Sequence, residues 1–248
     1  ALESHIDDFE SAQTAFFRFS DVQPAVLAQE LLARGADGSL SFWQVLDLRK
    51  SEDDLKSDIR KSYKNLINRG AEEFEYRVFA EDCAAADLEA FRELHVRAAG
   101  RSTRSDASWN MQLQKIQTGE AFLVLGRENG VAVSGAYFLS DGRTCYYGSA
   151  ASPEKAETRG GSHALIWQAV KFAKERGCSH MDLGQVLFPG QHCVIDIHAR
   201  PVLDGDHELP GERELGISRF KKGFGGATVA RLDLVWKPAT SSKSTTSA

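Results

Sequence analysis

The chain has 248 residues, 42% of them hydrophobic and 26% charged, which are the proportions of a soluble globular protein with a substantial core. These values exclude a disulfide-stapled miniprotein and a disordered chain. With 35 acidic against 30 basic side chains the net charge is −5, so an anionic partner would have to meet a local basic patch. Charged residues interrupt every apolar stretch before it reaches about 20 residues, and we therefore expect no membrane-spanning segment.

The spacing of cysteine and histidine gives no sign of a metal or redox site. The four cysteines are widely separated and include no CxxC pair. His192 and His198 lie near Cys193, but the spacing supplies no third convergent ligand, so we predict no bound metal. We interpret the cysteines as reduced, mostly buried thiols in a cytoplasmic protein.

The first third of the chain predicts a helix, a strand and a second helix. Residues 25–34 have a helical pattern, and the apolar residues 41–48 predict a strand. A single helix is then predicted over residues 51–70, with Ser51 as its N-cap and Gly70 at its end.

Three basic residues of this predicted helix follow one another at i, i+4 spacing. They are Lys56, Arg60 and Lys64, and they lie beside the apolar stripe of the helix. Such a basic stripe can attract phosphate or the tRNA backbone, whereas most stripes of this kind are solvated helix faces. The sequence leaves both interpretations open.

The middle of the chain has an element order that indicates the fold class. The predicted elements are a strand at 74–80, helices at 87–100 and 106–119, strands at 121–129, 130–141 and 143–150, a helix at 160–177 and a strand at 180–184. We expect Asp106 to cap the second of these helices, and short hairpin turns at residues 128–130 and 141–142. The β-β-β-α-β order predicts an α/β (α+β) fold, a mixed sheet flanked by helices with one crossover helix.

The last part of the chain predicts a long loop, a short helix and a strand. Residues 185–211 contain three prolines and favour an insertion or an active-site loop. Residues 212–226 predict a short helix that runs into a glycine-rich turn, and residues 228–236 predict a final strand. The polar residues that follow indicate a frayed tail.

Three segments, in this order, resemble the FemABX-like acyltransferases of the peptidoglycan interpeptide-bridge type, a branch of the GNAT superfamily. The first is LDLRKSEDDLKSDIRKSYKNLINRG at residues 46–70, and the second is DLEAFRELHVRAAGRSTRS at residues 87–105. The third runs from YYGSA through the long helix to MDLG and ends at GISRFKKGFGG, residues 216–226, which is similar to the family signature G-x-x-x-F-K-x-x-F-G. The resemblance covers about residues 43–236.

The resemblance implies a domain organisation with one departure from the family pattern. Members of full length carry two GNAT-like domains, yet only about 70 residues precede Phe74 here. We therefore expect a reduced or partial amino-terminal GNAT-like unit at residues 1–72, a GNAT-like acyltransferase domain at 73–238 and a flexible tail at 239–248. The segment at residues 185–211 is also longer than the usual connection to the F-K motif.

The implied activity is transfer of an acyl or aminoacyl group from an activated donor to an amine, as in bacterial cell-envelope biosynthesis. The donor would be an aminoacyl-tRNA or an acyl-CoA, bound as a co-substrate, with no permanently bound cofactor. The implied acceptor is an anionic small molecule or cell-wall precursor, with tRNA as a further partner and peripheral contact with a membrane. Alternatives are an acyl-CoA-dependent N-acyltransferase acting on an amino sugar or small amine, and a binding module that has lost catalysis.

The place that matches the pyrophosphate turn of acetyl-CoA-dependent GNATs reads Arg159-Gly160-Gly161-Ser162. In those enzymes backbone N–H groups at the helix start hold the pyrophosphate. Because Ser162 stands at the third glycine position, the match is degenerate and fits FemABX-like proteins with an aminoacyl-tRNA donor. The alternative is that Gly160 and Gly161 merely begin a helix.

The resemblance assigns catalysis to the F-K pair, here Phe220 and Lys221. A fixed cation beside the carbonyl oxygen stabilises the negative charge that develops there during acyl transfer. Lys222, the next residue, is an alternative candidate for this role. Both lysines could instead be solvent-exposed side chains at the end of a helix. We favour Lys221 because the glycines that follow it allow close approach of the backbone to a ligand.

Further candidates come from position within the resemblance. Tyr147 matches a substrate-contacting tyrosine, and a core aromatic is the alternative. Arg101 and Arg104 match an arginine that contacts a nucleotide or diphosphate, and loop charges in solvent are the alternative. Asp182, at the end of a predicted strand, could accept the proton of the amine or could bond a neighbouring turn.

Overall fold

The computed structural model of the chain describes residues 15–19, 25–190 and 209–236. Its strands are β1 (Ala15–Phe19), β2 (Asp37–Asp47), β3 (Glu75–Phe79), β4 (Ala121–Glu128), β5 (Val131–Ser140), β6 (Thr144–Ala151), β7 (His180–Val186) and β8 (Ala227–Trp236). Its helices are α1 (Val26–Ala33), α2 (Glu52–Asp58), α3 (Lys61–Glu73), α4 (Ala85–Ala99), α5 (Asp106–Gln117), α6 (Glu154–Glu157), α7 (Gly161–Glu175) and α8 (Glu212–Lys222). The strands hydrogen-bond in the order β1-β8-β2-β7-β6-β5-β4-β3, which confirms the predicted mixed α/β fold.

Contacts within the chain divide it into two units, each of which is interrupted in sequence. The first unit contains residues 1–43, 185–218 and 229–248, and the second contains residues 44–184 and 219–228. The predicted domain boundary at residues 72 and 73 and the predicted tail from residue 239 stay predictions.

In the first unit, the helix α1 packs against β8. Ala28 and Leu31 of the helix are buried and contact Leu234 and Trp236 of the strand. Leu234 and Trp236 stand two residues apart, as the two-residue period of a strand requires for side chains on one face.

In the second unit, the sheet carries a hydrophobic core on each face. The two-residue period of β5 separates the two cores, since Ala136 and Phe138 join the core beneath α7, whereas Tyr137 joins the core beneath α4 and α5. The strands β3 to β6 are successive antiparallel neighbours, and the predicted turn after β4 places Asn129 and Gly130 at positive φ, 51° and 79°. The two predicted hairpins and the crossover helix α7 are thereby confirmed.

The strands β6 and β7 run parallel and pair over only a short length. The paired residues are Thr144 with His180, Cys145 with Met181 and Tyr146 with Asp182. Beyond Tyr146 the strand β6 continues to Ala151, and beyond Asp182 the strand β7 continues to Val186. A β-bulge interrupts the pairing of β6 with β5 at the same level, between Tyr147 and Ser149. The two strands therefore stop pairing in the middle of the sheet.

The single helix predicted over residues 51–70 is wrong, because the chain forms two helices, α2 and α3, with a break at Ile59 and Arg60. Both residues have extended ψ angles, 136° and 135°. The N–H of Arg60 donates to the carbonyl oxygen of Gly223 at 2.9 Å, so a distant segment replaces the intrahelical bond. The predicted cap at Ser51 is confirmed, since its hydroxyl accepts from the N–H of Asp54 at 3.1 Å.

Two predicted helix ends are also wrong. Gly70 lies inside α3, where a Cβ atom would come within 2.5 Å of the carbonyl oxygen of Gly160, so the glycine permits close packing. The N-cap of α5 is Ser105, whose hydroxyl accepts from the N–H of Ser108 at 3.3 Å. Asp106 is the first helical residue and forms an ion pair with Arg92 at 2.7 Å.

None of the helices within residues 25–190 and 209–236 is long and apolar enough to cross a bilayer. Cys83, Cys145 and Cys178 are buried free thiols. Cys193, His192 and His198, and most of the predicted loop at residues 185–211, lie outside the described residues.

Candidate active site

The candidate site lies in the second unit, where β6 and β7 stop pairing. Tyr147 and Gly148 follow the last paired residue of β6, and Leu183 and Gly184 follow that of β7. Backbone groups in such an opening can meet a ligand instead of a neighbouring strand. The residues around the opening therefore decide what it can bind.

Gly184 forms one wall of the opening and is shaped by its neighbours. Its φ is +91°, and its N–H donates to the Oδ1 atom of Asp182 at 2.7 Å. A Cβ atom at position 184 would lie 2.9 Å from the Nζ atom of Lys221. Glycine is therefore required both by the backbone conformation and by the space that the lysine occupies.

Lys221 is partly buried at the end of α8 and directs its amino group at this opening. Burial lowers the pKa of Lys221 to about 8, because the charged form loses solvation. The nearby carboxylate of Asp182 acts in the opposite direction and favours the charged form. The structure thus holds a poorly solvated ammonium group next to the backbone of Gly184, whereas Lys222 is exposed.

Phe220 holds the helix α8 in place through an aromatic cluster. Its ring centroid lies 6.1 Å from that of Tyr63, 5.1 Å from that of His163 and 5.2 Å from that of Phe224. Burial lowers the pKa of His163 to about 4, so this histidine is neutral near pH 7. Phe220 therefore positions Lys221 and is itself occupied by contacts within the protein.

The glycines after Lys221 pack against the protein itself, contrary to our expectation that they leave room for a ligand. A Cβ atom on Gly223 would come within 2.1 Å of the ring of Tyr63. Cβ atoms on Gly225 and Gly226 would clash with the backbone around Asp58 and Val45. The glycine-rich turn is therefore explained by close packing against α2, α3 and β2.

Tyr146 and Tyr147 point to opposite faces of β6, as the two-residue period of a strand requires. Tyr147 contacts the core beneath α7, with its ring 5.4 Å from that of Phe138, and burial raises its pKa. Tyr146 borders a shallow surface hollow of about 430 Å³ together with Lys115 and Glu120. The structure places Tyr147 next to the opening, with most of its ring packed in the core.

The Arg159-Gly160-Gly161 segment at the start of α7 is in contact with other parts of the protein. Arg159 forms ion pairs with Glu73 and Glu128 and covers the ring of Phe74 at 4.6 Å. These two carboxylates raise the pKa of Arg159.

The two glycines of this segment are packed tightly. A Cβ atom on Gly160 would come within 2.0 Å of the carbonyl oxygen of Leu66, and one on Gly161 within 2.8 Å of that of Ala156. This packing accounts for both glycines without a ligand.

The predicted basic stripe is not continuous, because the break at Arg60 separates Lys56 from Lys64. The Lys56 ammonium lies 5.5 Å from the ring of Trp167, and the Arg60 guanidinium lies 5.4 Å from that of Tyr63. The Lys64 Nζ atom donates to the carbonyl oxygen of Ser57 at 3.1 Å. Each of these three basic side chains thus contacts other residues of the second unit.

The two arginines after α4 differ in their surroundings. Arg101 is exposed and donates to the carbonyl oxygen of Ser102 at 3.4 Å. Arg104 is partly buried, and its guanidinium lies 5.5 Å from the ring centroid of Trp109. Only Arg104 therefore approaches the interior.

The sequence did not single out three buried polar residues: His95 of α4, Gln112 of α5 and Tyr137 of β5. Each interrupts an otherwise apolar face, and a polar residue at such a position is the signal that could have identified them. Among the described residues, no group of three or more His, Cys, Asp or Glu side chains is arranged to hold a metal ion.

Comparisons with known proteins identify the family and the fold of the chain. Residues 54–190 match the model of the acetyltransferase (GNAT) domain. No protein of curated function matches the chain in sequence.

Solved structures share its fold. One is FemX, with a TM-score of 0.67 and 15% identity over 94% of this chain and 76% of that chain. A second is L-PGS from Bacillus licheniformis, with a TM-score of 0.59 and 15% identity over 96% and 72% of the two chains. A third is a GCN5-related N-acetyltransferase from Kribbella flavida, with a TM-score of 0.50 and 16% identity over 97% and 75%. The family match covers more than half of the chain, and the protein therefore belongs to the acetyltransferase (GNAT) domain family, with the FemABX-like fold that the sequence predicted.

Proposed function

We propose that the protein transfers an acyl or aminoacyl group from an activated ester or thioester to an amine. The observation that carries the proposal is the amino group of Lys221, which is held against Gly184 where β6 and β7 stop pairing. Membership of the acetyltransferase (GNAT) domain family supports transferase activity.

In the proposed reaction the acceptor amine attacks the carbonyl carbon of the donor. A C–N bond forms, and the carbonyl electron pair moves onto oxygen. The oxyanion then collapses, the C–O or C–S bond to the donor breaks, and the leaving oxygen or sulfur takes the proton released by the amine. A positioned ammonium group stabilises the oxyanion more than the ground-state carbonyl, which is the role we assign to Lys221.

Asp182 acts in this proposal through other residues. Its carboxylate holds the N–H of Gly184 at 2.7 Å and favours the charged form of Lys221. It is therefore a positioning residue that fixes both the wall of the opening and the charge beside it.

We propose an aminoacyl-tRNA as the donor. The guanidinium of Arg159 is held by two carboxylates, and Gly160 is packed against Leu66, which disfavours a pyrophosphate at the start of α7. Ser162 at the third glycine position supports the same choice. A precursor of the cell envelope with a free amine is the acceptor that the FemABX resemblance suggests.

The second candidate donor is an acyl-CoA, which the match to the acetyltransferase (GNAT) domain favours. The purified protein should be assayed with charged tRNAs and with acyl-CoAs against a panel of amines. Transfer that RNase abolishes supports the tRNA donor, and RNase-resistant transfer that requires acyl-CoA supports the second candidate. The absence of transfer from every donor would leave a binding module and overturn the proposed activity.

A further inference from the structure

Two rings, one from α3 and one from α7, pack on both sides of Lys221. The ring centroid of His163 lies 5.1 Å from that of Phe220 and 5.9 Å from that of Phe224. The ring centroid of Tyr63 lies 6.1 Å and 5.4 Å from the centroids of the same two rings. Lys221 therefore stands between two residues that both pack against His163 and Tyr63.

Backbone contacts hold the turn that follows Lys221 at the same place. The carbonyl oxygen of Lys221 accepts from the N–H of Phe224 at 3.2 Å. The N–H of Arg60 donates to the carbonyl oxygen of Gly223 at 2.9 Å, and a Cβ atom on Gly223 would collide with the ring of Tyr63. The backbone on both sides of the lysine is therefore closely packed, and it has little room to shift against α3.

The close approach of α3 and α7 fixes the two rings relative to each other. The ring centroids of Tyr63 and His163 lie 4.4 Å apart. A Cβ atom on Gly70 of α3 would lie 2.5 Å from the carbonyl oxygen of Gly160 and 2.9 Å from the Cβ atom of Ala164. Glycine at position 70 therefore permits the approach that brings the two rings into contact.

The ring of His163 accounts for its place in this cluster. His163 is 9% exposed, and its Nδ1 atom is buried with no hydrogen-bond partner in the described part of the chain. Its ring stands edge-on to Tyr63, at an interplanar angle of 85°, and to Phe220, at 77°. This is an arrangement that aromatic rings favour.

We propose that His163 and Tyr63 are positioning residues for Lys221. Through Phe220 and Phe224, their rings hold the ammonium group of the lysine in the opening between β6 and β7. The inference deepens the proposed function and rests on it for its meaning in catalysis. A charge that stabilises a transition state must be held in place before the reaction begins, and the two rings do this without touching the reacting atoms.

The titration of Lys221 reports whether its ammonium group is held in this place. Burial lowers the pKa of Lys221 to about 8, and the carboxylate of Asp182 on β7 acts in the opposite direction. Burial is the larger of the two effects, so a lysine released into water should regain a higher pKa. The guanidinium of Arg60 lies 5.4 Å from the ring of Tyr63, whereas His163 is neutral near pH 7.

The test is the titration of Lys221 in the full chain, without donor or acceptor. Isotope-labelled lysine gives an NMR resonance whose chemical shift follows protonation, and the resonance of Lys221 is the one that Lys221→Arg lacks. We expect His163→Ala to raise the proton affinity of Lys221 about tenfold, because loss of the ring frees Phe220 and lets water reach the ammonium group. An unchanged titration would overturn the proposal.

The matched control is His95→Ala. His95 is also 9% exposed, and burial likewise lowers its pKa to about 4. Its ring packs against Phe91 and Trp109, in the core beneath α4 and α5. This variant should lose stability, measured as melting temperature, and leave the titration of Lys221 unchanged. An equal change in the titration of both alanine variants would show a general loosening of the fold, and the positioning role would then be rejected.

Variants of the rings give a second test. His163→Phe and Tyr63→Phe keep a ring at each position, so Lys221 should titrate as in the wild type. Phe220→Leu keeps an apolar side chain and removes the ring contact, so it should act as His163→Ala does, and it replaces that variant if His163→Ala does not fold. An altered titration in both ring-keeping variants would show that the polar atoms matter and the rings do not, which contradicts the proposal.

The titration separates this inference from the proposed function, because it needs no transfer activity. If Lys221 responds to His163→Ala as expected while no donor supports transfer, the positioning role stands and the function fails. If transfer is found while His163→Ala leaves the titration of Lys221 and the pH dependence of turnover unchanged, the function stands and the positioning role fails.

Discussion

The amino group of Lys221 fills the space that a side chain at position 184 would take, since a Cβ atom on Gly184 would lie 2.9 Å from Nζ. The lysine comes from the end of α8 and the glycine from β7, 37 positions earlier in the chain. The contact places a cation at the point where β6 and β7 stop pairing. The position of the Lys221 ammonium group therefore depends on glycine at position 184, because any other residue would place a Cβ atom against it.

Replacement of Lys221 tests its role in the chemistry. We expect Lys221→Ala to lower turnover by about a hundredfold or more, the scale for removal of one donor to an oxyanion. KM should change much less, because the interaction is made mainly in the transition state. Steady-state kinetics with the donor that the transfer assay selects measures both.

Lys222→Ala is the matched control for this variant. It removes the same charge one residue along α8, from a side chain that is exposed. Turnover near the wild-type value is expected. Equal losses in the two variants would point to general electrostatic attraction in place of a positioned ammonium.

The pH dependence of turnover follows from the lowered pKa of Lys221, about 8. The ammonium form is present below this pH and is lost as the pH rises, so turnover should fall above about pH 8. Asp182→Asn removes the negative charge that favours the ammonium, and the decline should move to lower pH. Turnover at saturating substrate, measured from about pH 6 to about pH 10, gives both profiles. Identical pH profiles for the wild type and Asp182→Asn would show that Asp182 does not influence the pKa of Lys221.

Gly184→Ala tests the contact itself. The added methyl group meets Nζ of Lys221 and the backbone has a φ of +91°, so the lysine must move. A displacement of about 1 Å can cost on the order of a hundredfold in turnover. Gly142→Ala is the control, because Gly142 has a φ of +81° but nothing within 4 Å of the added atom. The Gly142→Ala protein should lose some stability and keep the wild-type turnover. A similar loss of turnover in both variants would show that backbone strain, and not contact with Lys221, lowers the turnover of Gly184→Ala.

Gly223→Ala tests whether the glycine-rich turn serves packing. The new methyl group would come within 2.1 Å of the ring of Tyr63, so we expect a loss of about 1–3 kcal/mol in the free energy of unfolding. Combination with Tyr63→Ala should cost less than the sum of the single changes, since the smaller side chain leaves room. Denaturant unfolding measures all three variants. A stable Gly223→Ala protein would contradict the packing explanation.

The sequence predicts best where local signals agree. The strands β4, β5 and β6 are bounded by Asn129-Gly130 and Asp141-Gly142, whose turn preferences act within a few residues. The crossover helix α7 has an apolar stripe that its own period reveals. The mixed sheet was predicted from the β-β-β-α-β order of these elements.

The features that the sequence did not predict depend on distant contacts. At the break, the N–H of Arg60 donates to the carbonyl oxygen of Gly223, 163 positions later, and Gly70 inside its helix permits the close approach of Gly160. Lys221 could be chosen by family resemblance, whereas its contact with Gly184 could not. Gln112 resembles an ordinary polar position of an amphipathic helix, and only the packing of the folded chain shows that it is buried.

The hydrogen bond from Arg60 to Gly223 also bears on how the protein is made. A nascent chain on the ribosome can fold α3 early, yet Gly223, which follows Phe220 and Lys221, is synthesised 163 positions after Arg60. Such a long sequence separation between partners slows closure of the contact. The candidate catalytic charge therefore reaches its place only after β2 to β7 have been made, and a chain terminated before Lys221 would contain these six strands without the lysine.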